Sequence, residues 1–191
     1  MRKVILSEWI SLDGYVSDKD GQLSFFASLV RATYTEPGQV KFLETIDTIL
    51  MGRKTYEQFV QPWPGRPIEE EPLAEKMNMT RKIIFSHTLK HAPWGNWAPA
   101  EIAKGDAIST VKQLKQLPGK NIIVWASISL AHALMKENLI DEYRLFICPV
   151  LISGNRKLFP GEMDSTTLQL LESTHYNSGV VSLSYEVLNK V

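Results

Sequence analysis

TILMGRKTY, at residues 48–56, joins a short apolar run to a pair of cations through one glycine. Residues 49–51 are predicted to form a buried strand, because the run is brief and leads directly into Gly52. Glycine has no Cβ atom, so Gly52 allows the backbone to turn tightly at the end of this strand. The segment therefore predicts a strand, a sharp turn and a helix in succession.

The residues after this glycine suit an anionic ligand. Arg53 and Lys54 bring cations to the end of the predicted strand, and Thr55 is expected to cap the following helix. Helix N-terminal amides, a hydroxyl and a guanidinium group are the donors that phosphate sites use. An ordinary strand–turn–helix with solvated basic residues would explain the same nine residues, so this motif alone leaves both interpretations open.

Composition favours one globular domain over residues 1–191. Hydrophobic residues make up 44% and charged residues 22% of the chain, which are values typical of a domain with a substantial core. The 21 basic and 21 acidic side chains balance, so neither nucleic acid nor an anionic membrane is expected as the main partner. Any anion-binding site must therefore be formed by a local group of cations.

Disulfide, metal and targeting signals are lacking in the sequence. The single cysteine, Cys148, excludes an internal disulfide, and its apolar neighbours favour a core position over a nucleophilic one. No metal site is expected, because His87 and His91 are more typical of surface residues than of metal ligands and residues 13–21 do not follow calcium-loop spacing. The chain shows no signal-peptide run and no apolar run that could span a bilayer, so a cytoplasmic protein is predicted.

A second strand–turn–helix unit lies further along the chain. Residues 121–125 (NIIVW) are apolar enough for a central strand, Ala126 and Ser127 form the turn, and a helix follows from Ile128. Near the C-terminus, residues 177–179 (NSG) are typical of a hairpin turn. Strands alternate with helices early and pair as a hairpin late, which predicts an α/β domain with a mostly parallel sheet and an antiparallel C-terminal hairpin.

In such sheets, ligands bind beyond the carboxyl ends of the strands. Residues 3–10 are predicted to form the first strand, and both small-residue turns and Asp13, which follows this strand, fall at strand ends of this kind. This coincidence favours a binding site over ordinary turns.

Several motifs give the sequence a family resemblance. They are SLDGYV at 11–16, ILMGRKTYE at 49–57, KIIFS at 82–86, IIVWAS at 122–127, LIDEYRL at 139–145, PVL at 149–151 and LF at 158–159. In this order they resemble the dihydrofolate-reductase-like superfamily, specifically the reductase domain at the C-terminal end of the riboflavin-biosynthesis deaminase/reductase and its stand-alone bacterial relatives. The matches cover nearly the whole chain, and MGRKT and LIDEY are the most specific of them.

The resemblance implies a dihydrofolate-reductase-like three-layer fold, a homodimer and an NADPH-dependent reductase. Its substrate would be a small pyrimidine- or pterin-like heterocycle, as in 5-amino-6-(5-phosphoribosylamino)uracil reductases or dihydrofolate reductases. Carried over by motif, Ser86 would help to hold the cofactor's 2′-phosphate. The first turn would bind the adenosine phosphates and the second would face the pyrophosphate, through Gly52, Arg53, Lys54, Thr55, Ala126, Ser127 and Ile128.

Two turns depart from the family pattern. Relatives usually have a glycine pair or glycine-serine where this chain has Ala126 and Ser127, and a glycine-richer turn at residues 151–155. An alanine Cβ costs little where φ is negative, but it limits how closely a pyrophosphate can approach the backbone. A nucleotide- or metabolite-binding protein that kept the fold without turnover is therefore the alternative hypothesis.

Hydride transfer needs alignment and a proton donor. Asp13 or water would supply the proton, and Asp13 is the candidate acid of the chain, although Asp-Gly is also what a plain turn requires. Glu36 matches a substrate carboxylate of dihydrofolate reductases if the segment before Met51 is aligned without gaps. Trp9 and Trp63 would either line the wall of an aromatic substrate site or belong to the core.

Overall fold

The computed structural model describes residues 1–23, 26, 29, 37–68, 73–161 and 165–188. Within these ranges the strands are β1 Val4–Ser11, β2 Tyr15–Ser17, β3 Ile46–Gly52, β4 Arg81–Phe85, β5 Glu101–Ile102, β6 Asn121–Trp125, β7 Glu142–Cys148, β8 Arg156–Lys157, β9 Leu168–His175 and β10 Val181–Val187. The helices of the same ranges are α1 Pro37–Leu43, α2 Arg53–Phe59, α3 Leu73–Met79, α4 Ala107–Gln116 and α5 Ile128–Lys136.

One eight-stranded sheet forms the centre of the molecule, in the order β5-β4-β3-β6-β1-β7-β10-β9. The strands from β5 across to β7 pair in parallel, whereas β10 is antiparallel to both β7 and β9. Gly179 adopts a φ of +83° in the turn between β9 and β10. The predicted parallel sheet with an antiparallel C-terminal hairpin is confirmed.

Helices cover both faces of the central strands of the sheet. Every residue of β1 is buried, which is typical of a parallel strand between two helical layers. On one face the core includes Leu43 of α1, Tyr56 of α2 and Met77 of α3. On the other face it includes residues of α4 and α5, such as Val111 and Leu134. The molecule therefore has three layers, with the sheet in the middle.

Local sequence patterns correctly predicted several boundaries. The apolar spacing of residues 108–117, which Pro118 and Gly119 follow, predicts an amphipathic helix. The observed helix α4 runs over Ala107–Gln116, and Asp106 caps it by accepting a hydrogen bond from the Ser109 amide at 2.9 Å. The sequence also predicts a helix that restarts near Gln39, after an interruption at residues 36–38, and the observed helix α1 begins at Pro37. Glu36, the candidate substrate carboxylate, lies outside the described residues. Cys148 is buried in β7, as its apolar neighbours predicted.

Candidate functional site

A cleft of about 1270 Å³ opens at the carboxyl ends of β1, β3 and β6. Its position follows from strand length, because β6 pairs with β1 only as far as Ser7 opposite Trp125. β1 continues to Ser11 and is paired there with β7 alone among the described strands. The open edge of β1 beyond Ser7 forms one wall of the cleft, at the place where parallel sheets bind ligands.

The two predicted turns meet at this cleft. The Gly52 amide donates a hydrogen bond to Ser127 Oγ at 2.9 Å, and Ser127 Oγ donates to Thr55 Oγ1 at 2.9 Å. The Ser127 amide also donates to Thr55 Oγ1 at 3.3 Å. Three hydrogen bonds therefore join the loop after β3 to the loop after β6 directly.

Thr55 does not cap α2, so that prediction is wrong. The helix begins at Arg53, three residues before the start that a Thr55 cap would give, and Gly52 is its N-cap residue without a side-chain cap bond. The extended backbone of Gly52, with φ −81° and ψ 166°, already has the geometry that an N-cap requires. Thr55 is instead buried inside the first turn, where its hydroxyl faces Ser127.

The turn after β6 has an unusual backbone. Ala126 has a φ of +54° and Ser127 a φ of +29°, so consecutive non-glycine residues lie on the left-handed side of the Ramachandran map. Side chains with a Cβ atom adopt this conformation at a cost. The departure from glycine in this turn is therefore a strained one, since φ is not negative at Ala126.

Cationic side chains surround the cleft. Among its described lining residues the cations are Arg53, Lys54, Arg66 and Arg156, and Glu8 is the only carboxylate. Arg53 is held by Glu57 through bonds of 2.7 and 2.9 Å, in an exposed pair one helical turn apart.

The other two arginines are also oriented by neighbouring groups. The guanidinium of Arg66 lies 4.3 Å above the Trp63 ring, and Arg156 donates to Ser129 Oγ at 2.7 Å. The charge of the lining favours an anionic ligand.

Glu8 is a buried carboxyl group in this cationic lining. Only 6% of the residue is exposed, and its Oε1 accepts the Trp9 amide hydrogen at 2.9 Å. Its Oε2 has no hydrogen-bond partner among the described residues. Burial raises the pKa of the Glu8 carboxyl to about 8, against the smaller lowering effect of the Trp9 amide.

Asp13 and Ser86 lie apart from the lining of the cleft. The Asp13 carboxylate accepts hydrogen bonds from the amides of Ile152 and Ser153 at 3.3 and 2.9 Å, and thereby holds the turn after β7. The Ser11 hydroxyl and these amides keep the pKa of Asp13 below its ordinary value. Ser86, after β4, accepts bonds from two amides of its own loop, those of Thr88 and Leu89.

The other predicted site residues do line the cleft. They are Gly52, Arg53, Lys54, Thr55, Ala126, Ser127 and Ile128. Trp9 and Trp63 line it as well, although both are buried and Trp9 stacks on Phe146 with ring centroids 4.7 Å apart. Both interpretations of these tryptophans therefore hold, as core residues that also form walls.

Sequence reasoning missed three charged residues of the cleft. Glu8 had a signal, since it is a charge inside an otherwise apolar strand. Arg66 and Arg156 had none, because they lie in irregular or very short segments whose position depends on the tertiary fold. No group of His, Cys, Asp or Glu side chains in the described ranges is arranged to hold a metal ion.

Comparison with known proteins identifies the family. The family model of the RibD C-terminal domain matches residues 2–182. The chain belongs to the RibD C-terminal domain family. The family resemblance predicted from the sequence motifs is thus confirmed. In the described parts of this RibD-type domain, every helix is too short or too polar to cross a membrane.

Individual proteins are similar to this chain over nearly its whole length. The uncharacterized protein YyaP of Bacillus subtilis is 29% identical over 186 residues, which cover 96% of this chain and 94% of that protein. A putative riboflavin biosynthesis protein from Shewanella sp. PV-4 has a similar structure, with a TM-score of 0.76, 24% identity and coverage of 98% and 99% of the two chains.

A larger structure contains a similar domain. The diaminohydroxyphosphoribosylaminopyrimidine deaminase/5-amino-6-(5-phosphoribosylamino)uracil reductase of Thermotoga maritima matches with a TM-score of 0.68 and 13% identity. The match covers 98% of this chain and 57% of that one. At such identities the structural likenesses show a shared fold, that of the RibD C-terminal domain family.

Proposed function

We propose that this chain is an NADPH-dependent reductase that transfers a hydride to a small pyrimidine- or pterin-like heterocycle. The observation that carries the proposal is the joined pair of loops, at Gly52 and Ser127, on one cationic cleft. Family membership supports it, because the matched Thermotoga maritima protein is named as a reductase of a uracil derivative.

The lining fits a phosphorylated dinucleotide in charge and size. Arg53 and Lys54 would bind the adenosine phosphates, and Arg156 adds a cation near the start of α5. Among the described lining residues four cations face one carboxyl group, a balance that favours a ligand with several negative charges. The volume of about 1270 Å³ exceeds the roughly 300–1,000 Å³ of ordinary small-molecule pockets, which leaves room for a cofactor and a substrate together.

A bound nicotinamide would supply the hydride, and the chain would supply orientation and a dry environment. Trp9, Phe59, Trp63 and Trp125 give the cleft an aromatic wall beside its cations. Such a wall excludes water, which strengthens electrostatic interactions with a bound ligand. The Asp13 carboxylate has a positioning role in this proposal, because it fixes the amides of Ile152 and Ser153.

One observation favours the alternative, a nucleotide- or metabolite-binding protein without turnover. Ala126 carries its Cβ at a φ of +54°, in the turn where the family resemblance implies glycine. The extra atom limits how closely a pyrophosphate approaches the Ala126 backbone. Weak or misaligned cofactor binding would then leave a binding protein.

Titration of the purified protein with NADPH, followed by nicotinamide fluorescence, tests the proposal. Saturable binding and NADPH oxidation with 5-amino-6-(5-phosphoribosylamino)uracil, dihydrofolate or related pyrimidines and pterins would support a reductase. Binding without oxidation across this panel would favour the alternative. The absence of NADPH binding would overturn the reductase proposal.

The homodimer and the cytoplasmic location stay predictions. The edge strand β9 exposes Leu170 and Leu171, each about half accessible, which is apolar surface that a second copy of the chain would cover. Light scattering coupled to size-exclusion chromatography measures the oligomeric state. A mass of one chain across the micromolar range would contradict the dimer.

A further inference from the structure

The Glu8 carboxyl group is only half satisfied by the protein. Oε1 accepts the Trp9 amide hydrogen at 2.9 Å, on a strand edge that β6 leaves open. Oε2 is fully buried and unpartnered among the described residues, although the side chain lines the cleft. A buried polar atom without a partner costs free energy comparable to a lost hydrogen bond. A ligand in the cleft is the natural partner for this atom.

A purely structural role explains only one of the two oxygens. The Trp9 amide needs a single hydrogen-bond acceptor, and a neutral glutamine would provide it. Burial is the main influence on the Glu8 pKa, and no described cation compensates its charge. The carboxyl group is therefore held in its neutral form over the lower part of the physiological pH range, with a proton to donate.

We propose that Glu8 is the catalytic acid, whose Oε2–H group donates a hydrogen bond and then its proton to the nitrogen or oxygen of the substrate double bond. The proposal rests on the proposed reductase function. The hydride from the dihydronicotinamide brings both electrons of the new C–H bond. The π electrons of the C=N or C=O bond take the Glu8 proton to form N–H or O–H, and solvent reprotonates the carboxylate afterwards.

The environment of Glu8 suits this role better than that of Asp13. Both oxygens of Asp13 accept backbone hydrogen bonds outside the cleft, and the Ser11 hydroxyl together with these amides lowers the pKa of the Asp13 carboxyl group. Glu8 lies in the cleft and keeps one oxygen unpaired among the described residues. General acid catalysis by a positioned side chain typically contributes about 10²–10⁴-fold to the rate.

Carbon-13 NMR of the glutamate carboxyl groups tests the contact without turnover. The Glu8 signal is assigned with Glu8→Gln, or with Glu8→Asp if the first variant does not fold. NADP⁺ is added first, and then either 5-amino-6-(5-phosphoribosylamino)uracil or dihydrofolate. Because NADP⁺ cannot deliver a hydride, the complex is stable. We expect one of these heterocycles to move the Glu8 signal, and no movement with either of them in the NADP⁺ complex would overturn the proposal.

Kinetics of the same variants test the proton transfer. Glu8→Gln should bind NADPH within about twofold of wild type and reduce substrate about 100-fold more slowly or worse. Glu101→Gln is the matched control, since Glu101 is an exposed glutamate paired with Arg81 away from the cleft. Full activity in Glu8→Gln would overturn the role of Glu8 and leave the reductase function intact. Failure of the wild type to bind NADPH would overturn both.

Discussion

Ser127 Oγ lies 2.9 Å from the Gly52 amide nitrogen and accepts its hydrogen, although 75 positions separate the two residues. The bond closes the contact between the loop after β3 and the loop after β6. A ligand that spans both loops therefore meets one preformed surface, and little ordering is needed when it binds. This contact is the structural basis of the proposed cofactor site.

Removing the Ser127 hydroxyl should separate the two loops. In Ser127→Ala, the Gly52 amide loses its acceptor and Thr55 loses a donor, so we expect a loss of about 1–3 kcal/mol in the free energy of unfolding. Urea denaturation measures this loss. Ser173→Ala, at an exposed position on β9, is the control and should change stability little. Equal stability of the two variants would contradict the joining role of Ser127.

Glycine at position 126 should relieve backbone strain. Ala126→Gly removes the Cβ from a residue with φ +54°, and the net gain should reach about 1 kcal/mol after the greater flexibility of the unfolded chain is subtracted. The control is Ala133→Gly on the exposed side of α5, which should lose roughly 1 kcal/mol. Thermal or urea unfolding compares them, and destabilisation in both would show that the turn is not strained.

Glu8 should make stability depend on pH. Its pKa is about 8 in the folded protein against an ordinary 4.5, so the folded state binds the proton more tightly. The stabilisation is fully present below about pH 4.5 and is lost as pH rises through about 8, up to a total of about 5 kcal/mol.

Glu8→Gln removes this dependence, because glutamine keeps an acceptor for the Trp9 amide and does not titrate. Urea unfolding from pH 5 to 9 should therefore show that the free energy of unfolding of Glu8→Gln increases relative to that of wild type as pH rises. The free energy of unfolding of Glu101→Gln should differ from that of wild type by a constant amount over this range, since pairing with Arg81 lowers the pKa of Glu101 from 4.5. The same pH dependence of the free energy of unfolding in Glu8→Gln and wild type would contradict the claim that the buried Glu8 carboxyl group is neutral.

Arg53 should discriminate between the two nicotinamide cofactors. Only NADPH carries the extra 2′-phosphate, so Arg53→Ala should lower the affinity for NADPH about tenfold or more and the affinity for NADH much less. Because the Arg53–Glu57 pair is exposed, its loss should change stability by no more than about 1 kcal/mol. Arg81→Ala removes a similar exposed pair far from the cleft and should leave both affinities unchanged. An equal loss of affinity for NADPH and NADH in Arg53→Ala would contradict the proposal that Arg53 binds a phosphate of NADPH.

Much of the fold follows from local patterns in the sequence. The apolar run at residues 121–125 became β6, and α4 lies within one residue of its predicted ends. The meeting of the two loops was also predictable, because parallel neighbouring strands end at the same edge of a sheet. Strand and helix periodicity and the general rule for ligand position were sufficient for these features.

The details of the site depend on tertiary relationships that the sequence does not display. Glu8 faces an open strand edge only because β6 stops opposite Ser7, which is a matter of strand register. Asp13 follows the expected strand, yet its oxygens bind the amides of the turn after β7. The positive φ of Ala126 likewise occurs beside a tertiary contact, that of the neighbouring Ser127 with Gly52 and Thr55.

A crystal structure of the protein soaked with NADPH would show directly where the dinucleotide binds. We expect the pyrophosphate against Ala126–Ile128, the adenosine phosphates beside Arg53 and Lys54, and the nicotinamide within the aromatic part of the cleft near Glu8. Density for the dinucleotide elsewhere on the molecule, or a cleft that stays without NADPH at millimolar concentration, would contradict this expectation.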